Sequence, residues 1–375
     1  MAEAATGADV AVVGGGLVGS ALAWGFARAG AAVALFDADA DRFHASGGNF
    51  GLVWVQGKGA GAPAYAALSR RSAELWGDFA AELADRTGVA IDHTRTGGLK
   101  VALDEAEYER FATAIRRMHN QPPPGANDAR MLDAREARDL LPALGPEVRG
   151  AAYGPHDGYA DPLATLHALR TALAGHAGVA VERAAVTGID ALPAGGFRLA
   201  TAGASVTAER VVLAAGLANA ELAPRVGLDA PLRPERGQIL VSERLEPFLA
   251  MATHTVRQTG DGTVLMGDSK EDVGFDTGTT AEVRRAIVGR AVRTFPRLAN
   301  ARLVRQWAAL RVLAPDGLPI YQESPHAPGA FLVTCHSGVT LAAVHALELA
   351  PSLLAGRLAA DYAPFALDRL ERMAS

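Results

Sequence analysis

The sequence predicts an α/β protein built on a Rossmann-like dinucleotide-binding unit, and three observations carry that prediction. Residues 10–37 join an apolar strand, a glycine knot, a small-residue helix and a second apolar strand in one run. A strand–turn–helix pattern returns near the C-terminus in "GAFLVTCHSGVTLAAVHALELA". With 375 residues, 49% of them hydrophobic, the chain can bury a large core and divide into two joined domains.

In the first unit, Val10–Val13 form a short buried strand and Ser20–Ala29 a helix. Between them Gly14, Gly16 and Gly19 make G-x-G-x-x-G: a sharp turn, a bare backbone beside a pyrophosphate, and close helix–strand packing. Leu17 and Val18 complete the knot, where the helix N-terminus offers unpaired N–H groups and a positive dipole end to phosphates. The strand Ala32–Phe36 ends at Asp37 and Ala38, and the acid suits ribose hydroxyls. It disfavours a 2′-phosphate, so the unit is expected to hold NAD or FAD rather than NADP.

A dehydrogenase using nicotinamide continues with further βαβ units. Here the chain runs instead into "DADADRFHASGGNFGLVWVQGKGAG", a loop of small residues with Arg42 and Ser46, suited to lie along a cofactor. Leu68–Arg86 then reads as an amphipathic helix. A strand and a helix starting near Asp104 follow, with acids in its first turn and bases at its end. "NQPPPGANDAR" is a loop, because three consecutive prolines cannot sit inside a helix. Asp161 caps the next helix with Pro162 at its first position. Strand pairs fill 178–213 and end in Ala214, Ala215 and Gly216. Residues 231–263 are strand-rich, and Thr280–Thr294 is a helix.

The N-terminal fingerprint, "ASGGNFGLVWVQGKG", "RVVLAAG", "RPERGQIL", "RQTGDGTVLMGDS", "WAALRVLAPDGLPIY" and "CHSGVTLA", in this order, resemble the D-amino acid oxidase superfamily of FAD enzymes, which includes glycine oxidase and sarcosine oxidase. Within it the loop and the "HSGVT" ending are most similar to the flavin subunits of D-hydroxyproline dehydrogenase, the opine oxidases and hydrogen cyanide synthase. The resemblance implies FAD as cofactor and an interleaved architecture. The FAD-binding domain would take 1–90, 150–216 and 306–375, and an antiparallel-sheet substrate domain 91–149 and 217–305.

The reaction so implied is hydride transfer from the α-carbon of a small amino or imino acid to the flavin, with D-hydroxyproline or D-proline expected first. Opines, sarcosine and glycine are the alternatives. Flavin carries the hard chemistry, so the protein must anchor a carboxylate and tune the ring. Arg311 in "WAALRVLAPDG" matches the family's carboxylate anchor; the plainer reading is an arginine paired with an acid. Ser337 and the backbone donors of Gly338, Val339 and Thr340 match the segment that stabilises the reduced ring. Gly47, Gly48, Asn49, Phe50 and Gly51 would line the ring edge, and Val186 would touch the adenine. His254, Arg257 and His336 are further candidates for the substrate side, His254 and Arg257 on strands where alternate residues face the ring.

Two departures from the family matter. Cys335 does not sit in the motif that bonds flavin covalently in sarcosine-type oxidases, so noncovalent FAD is expected. No lysine matches the one those oxidases use toward dioxygen, with Lys58 and Lys270 the nearest, so a quinone or a partner subunit joins dioxygen as an expected electron acceptor. One cysteine cannot hold an iron–sulfur cluster, a disulfide or a cysteine zinc site, and no metal is expected. A net charge of −5 lacks the basic footprint of nucleic-acid binding. The absence of a signal-like start or apolar span points to the cytoplasm, with peripheral contact to the respiratory membrane and homo- or hetero-oligomers allowed.

Overall fold

The computed structural model describes residues 7–38, 44–123, 128–356 and 358–374. The first strand (Gly7–Val13) lies at the centre of an eight-stranded sheet, parallel to Val33–Phe36 on one side and Ser205–Leu213 on the other. Val179–Glu182 extends the first flank. On the second, Ala330–Thr334 pairs parallel to Ser205–Leu213. Val10–Val13, Val33–Phe36 and Ala330–Thr334, buried along their length, read as continuous apolar runs, as strands covered on both faces do. The knot helix (Leu17–Arg28), the long helix (Pro63–Thr87) and the last helix (from Gly338) pack together on one face, with Trp24, Trp76 and Leu341 wholly buried among them.

Two antiparallel-rich sheets form the other side of the molecule. One is ordered Val256–Gln258, Thr263–Met266, Arg233–Arg244, Leu303–Leu313. The other is ordered Ala252–Thr253, Gly98–Ala102, Gly150–Gly154, Arg130–Asp133. Leu99, Val101, Leu240 and Phe295, each buried, fill the core they share.

Local signals set the helix starts. Asp104 accepts the Glu107 N–H at 2.8 Å, and Asp161 accepts those of Leu163 and Ala164 at 2.8 and 2.9 Å ahead of Pro162. Thr280 caps Ala281–Thr294 through the Val283 N–H. The long helix starts at Pro63 rather than Leu68, because proline at the first position extends the start. A short helix, Ala134–Leu140, was not anticipated; its sign in the sequence is the reciprocal pair Asp133 and Glu136.

Sheet membership shifts two expected boundaries. Residue 150 opens a strand paired to Gly98–Ala102 and Arg130–Asp133. The 305/306 division falls inside Leu303–Leu313, which pairs along its length with Arg233–Arg244. A strand held by a ladder on one side cannot change sheets midway without breaking that ladder, so both crossings lie a few residues later.

Candidate active site

The knot is closed to side chains on every side. A Cβ at Gly14, whose φ is +112°, would lie 2.5 Å from the Ala214 carbonyl oxygen, and one at Gly19 would lie 1.8 Å from that of Gly14. At Gly16 it would meet the Ser46 hydroxyl at 2.9 Å. That hydroxyl accepts the Leu17 N–H at 2.9 Å and so tethers the following loop to the helix start. Ala214 N–H donates to the Val13 carbonyl, and Ala215 N–H to Asn219, which carries the Ala214–Gly216 turn past the knot. These bare backbones, converging on a helix N-terminus, fit the pyrophosphate of an adenine dinucleotide.

Asp37 stands at the end of its strand beside Gly15, with Ala38 exposed after it. One Asp37 oxygen accepts from Arg170 at 3.0 Å, leaving the other for a ribose. Arg170 was missed in the sequence, since nothing there ties the helix 162–174 to Asp37. Val186 is half-buried against the sheet's second core cluster. Arg42 lies outside the described residues.

The loop 44–51 is pinned from several directions. Gly48 N–H donates to His44, the Asn49 side chain accepts the Gly51 N–H at 2.8 Å, and Trp307 donates to the Gly48 carbonyl at 3.2 Å. Gly47 lies in the turn between, and a Cβ at Gly267 would touch the Phe50 ring. Arg257 donates its Nε–H to the Phe50 carbonyl at 2.5 Å, with its guanidinium against the Phe50 and Tyr159 rings. It is 2% exposed. Expected to face the substrate, it instead braces the loop from behind, as does the packing at Gly51, where a Cβ would strike the Ala160 carbonyl.

The last helix starts beside the knot: a Cβ at Gly338 would lie 3.4 Å from Val18. Trp76 donates Nε1–H to the Val339 and Thr340 carbonyls, both at 3.1 Å, and fixes the first turn. Ser337 collects Tyr65 and the Lys58 ammonium, and Lys58 also reaches Thr340 at 3.1 Å. Burial lowers Lys58 to about 8. The segment carrying Lys58 is held in turn by Asp157, which accepts from Val55 and Gln56 N–H and from the Gln56 amide. Burial raises Asp157 to about 7.

His336 is solvent-accessible although protein crowds around it. That crowding, with Lys58 and Arg311 nearby, keeps the imidazole neutral. His254 is not on a strand but in the bend between Ala252–Thr253 and Val256–Gln258. Its N–H donates to Leu99 and its ring meets Phe111 edge-on at 6.0 Å. Phe111, Lys100 and Arg290 surround it, and burial pushes it down to about 3. The alternation that suggested otherwise does not apply to a bend.

Arg311 lies on the strand Leu303–Leu313 opposite Glu235, near enough to His336 to act on its charge. Nη1 donates to the Ser269 carbonyl at 2.8 Å, the Arg236 carbonyl at 3.3 Å and Glu235 at 3.1 Å, while Nη2 donates to Asp268 at 2.8 Å. A guanidinium has five N–H groups. Among the described residues Nε–H and the second Nη2–H have no partner, so one bidentate edge stays open while Nη1 aims it. A Cβ at Gly237 would strike Nη2 at 2.5 Å, so glycine there lets the guanidinium lie flat on its neighbouring strand.

Comparison with known proteins now bears on this geometry. Residues 9–351 match the DAO family, FAD dependent oxidoreductase. The chain belongs to that family. It is an enzyme, an FAD-dependent oxidoreductase of amino-acid type. It is 39% identical to an opine oxidase subunit of Rhizobium meliloti, over 97% of this chain and 98% of that protein. Glycine oxidase of Geobacillus kaustophilus is 29% identical over 96% of this chain and 97% of that one. The crystal structure of a glycine oxidase from the same organism superposes with a TM-score of 0.87 at 28% identity, covering 96% of this chain and 98% of that one. No helix among the described residues is long and apolar enough to cross a membrane. No group of metal-ligating side chains occurs among them either.

Proposed function

We propose that this FAD enzyme oxidises a small α-amino acid whose nitrogen is secondary, with opines ahead of D-hydroxyproline and D-proline. The observation that carries the reading is Arg311, tied through Nη1 to Glu235 and Ser269 and through Nη2 to Asp268, with Nε–H left without a partner among the described residues, on the strand whose Trp307 holds the Gly48 carbonyl. A carboxylate received there fixes the α-carbon next to it. Bound FAD supplies the acceptor for the α-carbon hydride. The nitrogen loses its proton as the imine forms; water then cleaves an open-chain imine to a keto acid and an amine, while a proline leaves as the cyclic imine. Neutral His336 adds no like charge to an arriving ammonium. The 39% relatives, named as opine oxidase subunits, support the choice of opines and a role beside a partner subunit. The same reading takes FAD as noncovalent and the protein as cytoplasmic, meeting the respiratory membrane peripherally where a quinone is the acceptor.

The test is an anaerobic screen of opines, D- and L-hydroxyprolines, prolines, sarcosine and glycine, read by bleaching of the flavin bands. Bleaching by the secondary amines first supports the reading. Equal rates with primary amino acids overturn it.

A further inference from the structure

Beside Arg311 stands a second group of charges that the proposed reaction leaves unused. Lys100, half-buried on the strand Gly98–Ala102, lies over the Phe111 ring, 4.5 Å from its centre. Among the described residues its ammonium has no carboxylate or hydrogen-bond partner. Lys270, exposed and two residues beyond Asp268, has none either. The acids near Lys100 are already engaged. Glu107 receives Arg290 through both oxygens, at 2.7 and 3.1 Å, and the Leu103 N–H at 2.9 Å. Asp268 receives Arg311. Burial and the neighbouring Lys270 and Arg110 charges hold Lys100 below the ordinary lysine range. A half-buried cation crowded by cations is costly unless an anion joins it.

Asp268 connects the two groups, bonded to Arg311 and near enough to act on Lys100. The wall thus presents cation, anion, cation: Arg311, Asp268, then Lys100 with Lys270. We propose that Lys100 and Lys270 seat a second carboxylate of the substrate. The complementary ligand presents anion, cation, anion. That pattern is an amino acid whose nitrogen carries an additional carboxylate-bearing arm, with its ammonium facing Asp268. The proposal rests on Arg311 as the anchor of the first carboxylate.

Iminodiacetate and N-ethylglycine differ by the second carboxylate and make the probe. Each is titrated anaerobically into the FAD-loaded enzyme, and binding is read from the shift of the flavin bands. The wild type is expected to bind iminodiacetate roughly tenfold more tightly or better, a preference that shrinks in high salt. Lys100→Met and Lys270→Ala each reduce that preference, while N-ethylglycine loses much less. A wild-type ratio near one overturns the proposal, as does equal weakening of both ligands in Lys100→Met and Lys270→Ala. Lys270 is exposed, so its variant keeps the test open if Lys100→Met fails to fold. Arg311→Lys separates the underlying reading: if N-ethylglycine binds that variant unchanged, the anchor fails, whatever the ratio.

Discussion

At the scale of single residues, Arg311 shows how an arginine can be both paired and available. The plainer reading of the sequence, an arginine paired with acids, is met by Glu235 and Asp268, and the carboxylate anchor proposed above would use the same side chain. Lysine cannot reproduce the arrangement, because a point ammonium cannot be tied on one edge and offer a planar pair on another. Arg311→Lys is therefore expected to raise KM by about 30- to 100-fold, the worth of roughly 2–3 kcal/mol of charge-assisted hydrogen bonding. FAD content should stay unchanged, as the spectrum of the purified variant would show. Gly16→Val tests the opposite end of the site: a side chain in the gap before Ser46 is expected to leave a folded, colourless protein. Circular dichroism beside the visible spectrum checks both parts of that outcome.

Among the elements, those with a local cause were legible and those set by long-range contact were not. The knot, the Asp104, Asp161 and Thr280 caps, and the proline at 162 are visible in neighbouring residues, and the helices start where these residues place them. His254 and Arg257 were misjudged because alternation along a strand says nothing about a bend or about which sheet face is covered. Arg170 on Asp37, Trp76 on the last helix and Asp157 under the Lys58 segment join residues more than 100 positions apart, beyond any spacing rule. Trp76 gives the element-scale prediction. Trp76→Phe keeps an aromatic ring but removes the indole donor that ties the Val339 and Thr340 carbonyls to the long helix, and is expected to cost about 1–3 kcal/mol. Urea midpoints measure that loss. Weaker FAD binding should accompany it, since the start of the last helix loses its brace.

For the whole molecule, buried imidazoles set the acid limit. His345 is fully buried against Tyr321, and burial pushes it down to about 3, against an ordinary value near 6.5. Above pH 6.5 folded and unfolded chains both carry it neutral, and its contribution is intact. As pH falls below 6.5 the unfolded chain takes up a proton that the folded one refuses, so stability falls. Between pH 7 and pH 5 the loss from this residue is about 2 kcal/mol, read from urea unfolding at the two values. His345→Gln should flatten that slope. Acid precipitation should release the yellow colour, and a pellet that stays yellow would show a covalent bond to flavin.

The chain passes back and forth between the central sheet and the two antiparallel-rich ones, with Gly7–Val13 flanked by strands from residues 33–36 and 205–213. Splitting the gene at any single point between residues 13 and 330 therefore separates strands that must lie side by side. Neither product would keep a complete nucleotide cradle, and activity would return only when the two fragments find each other.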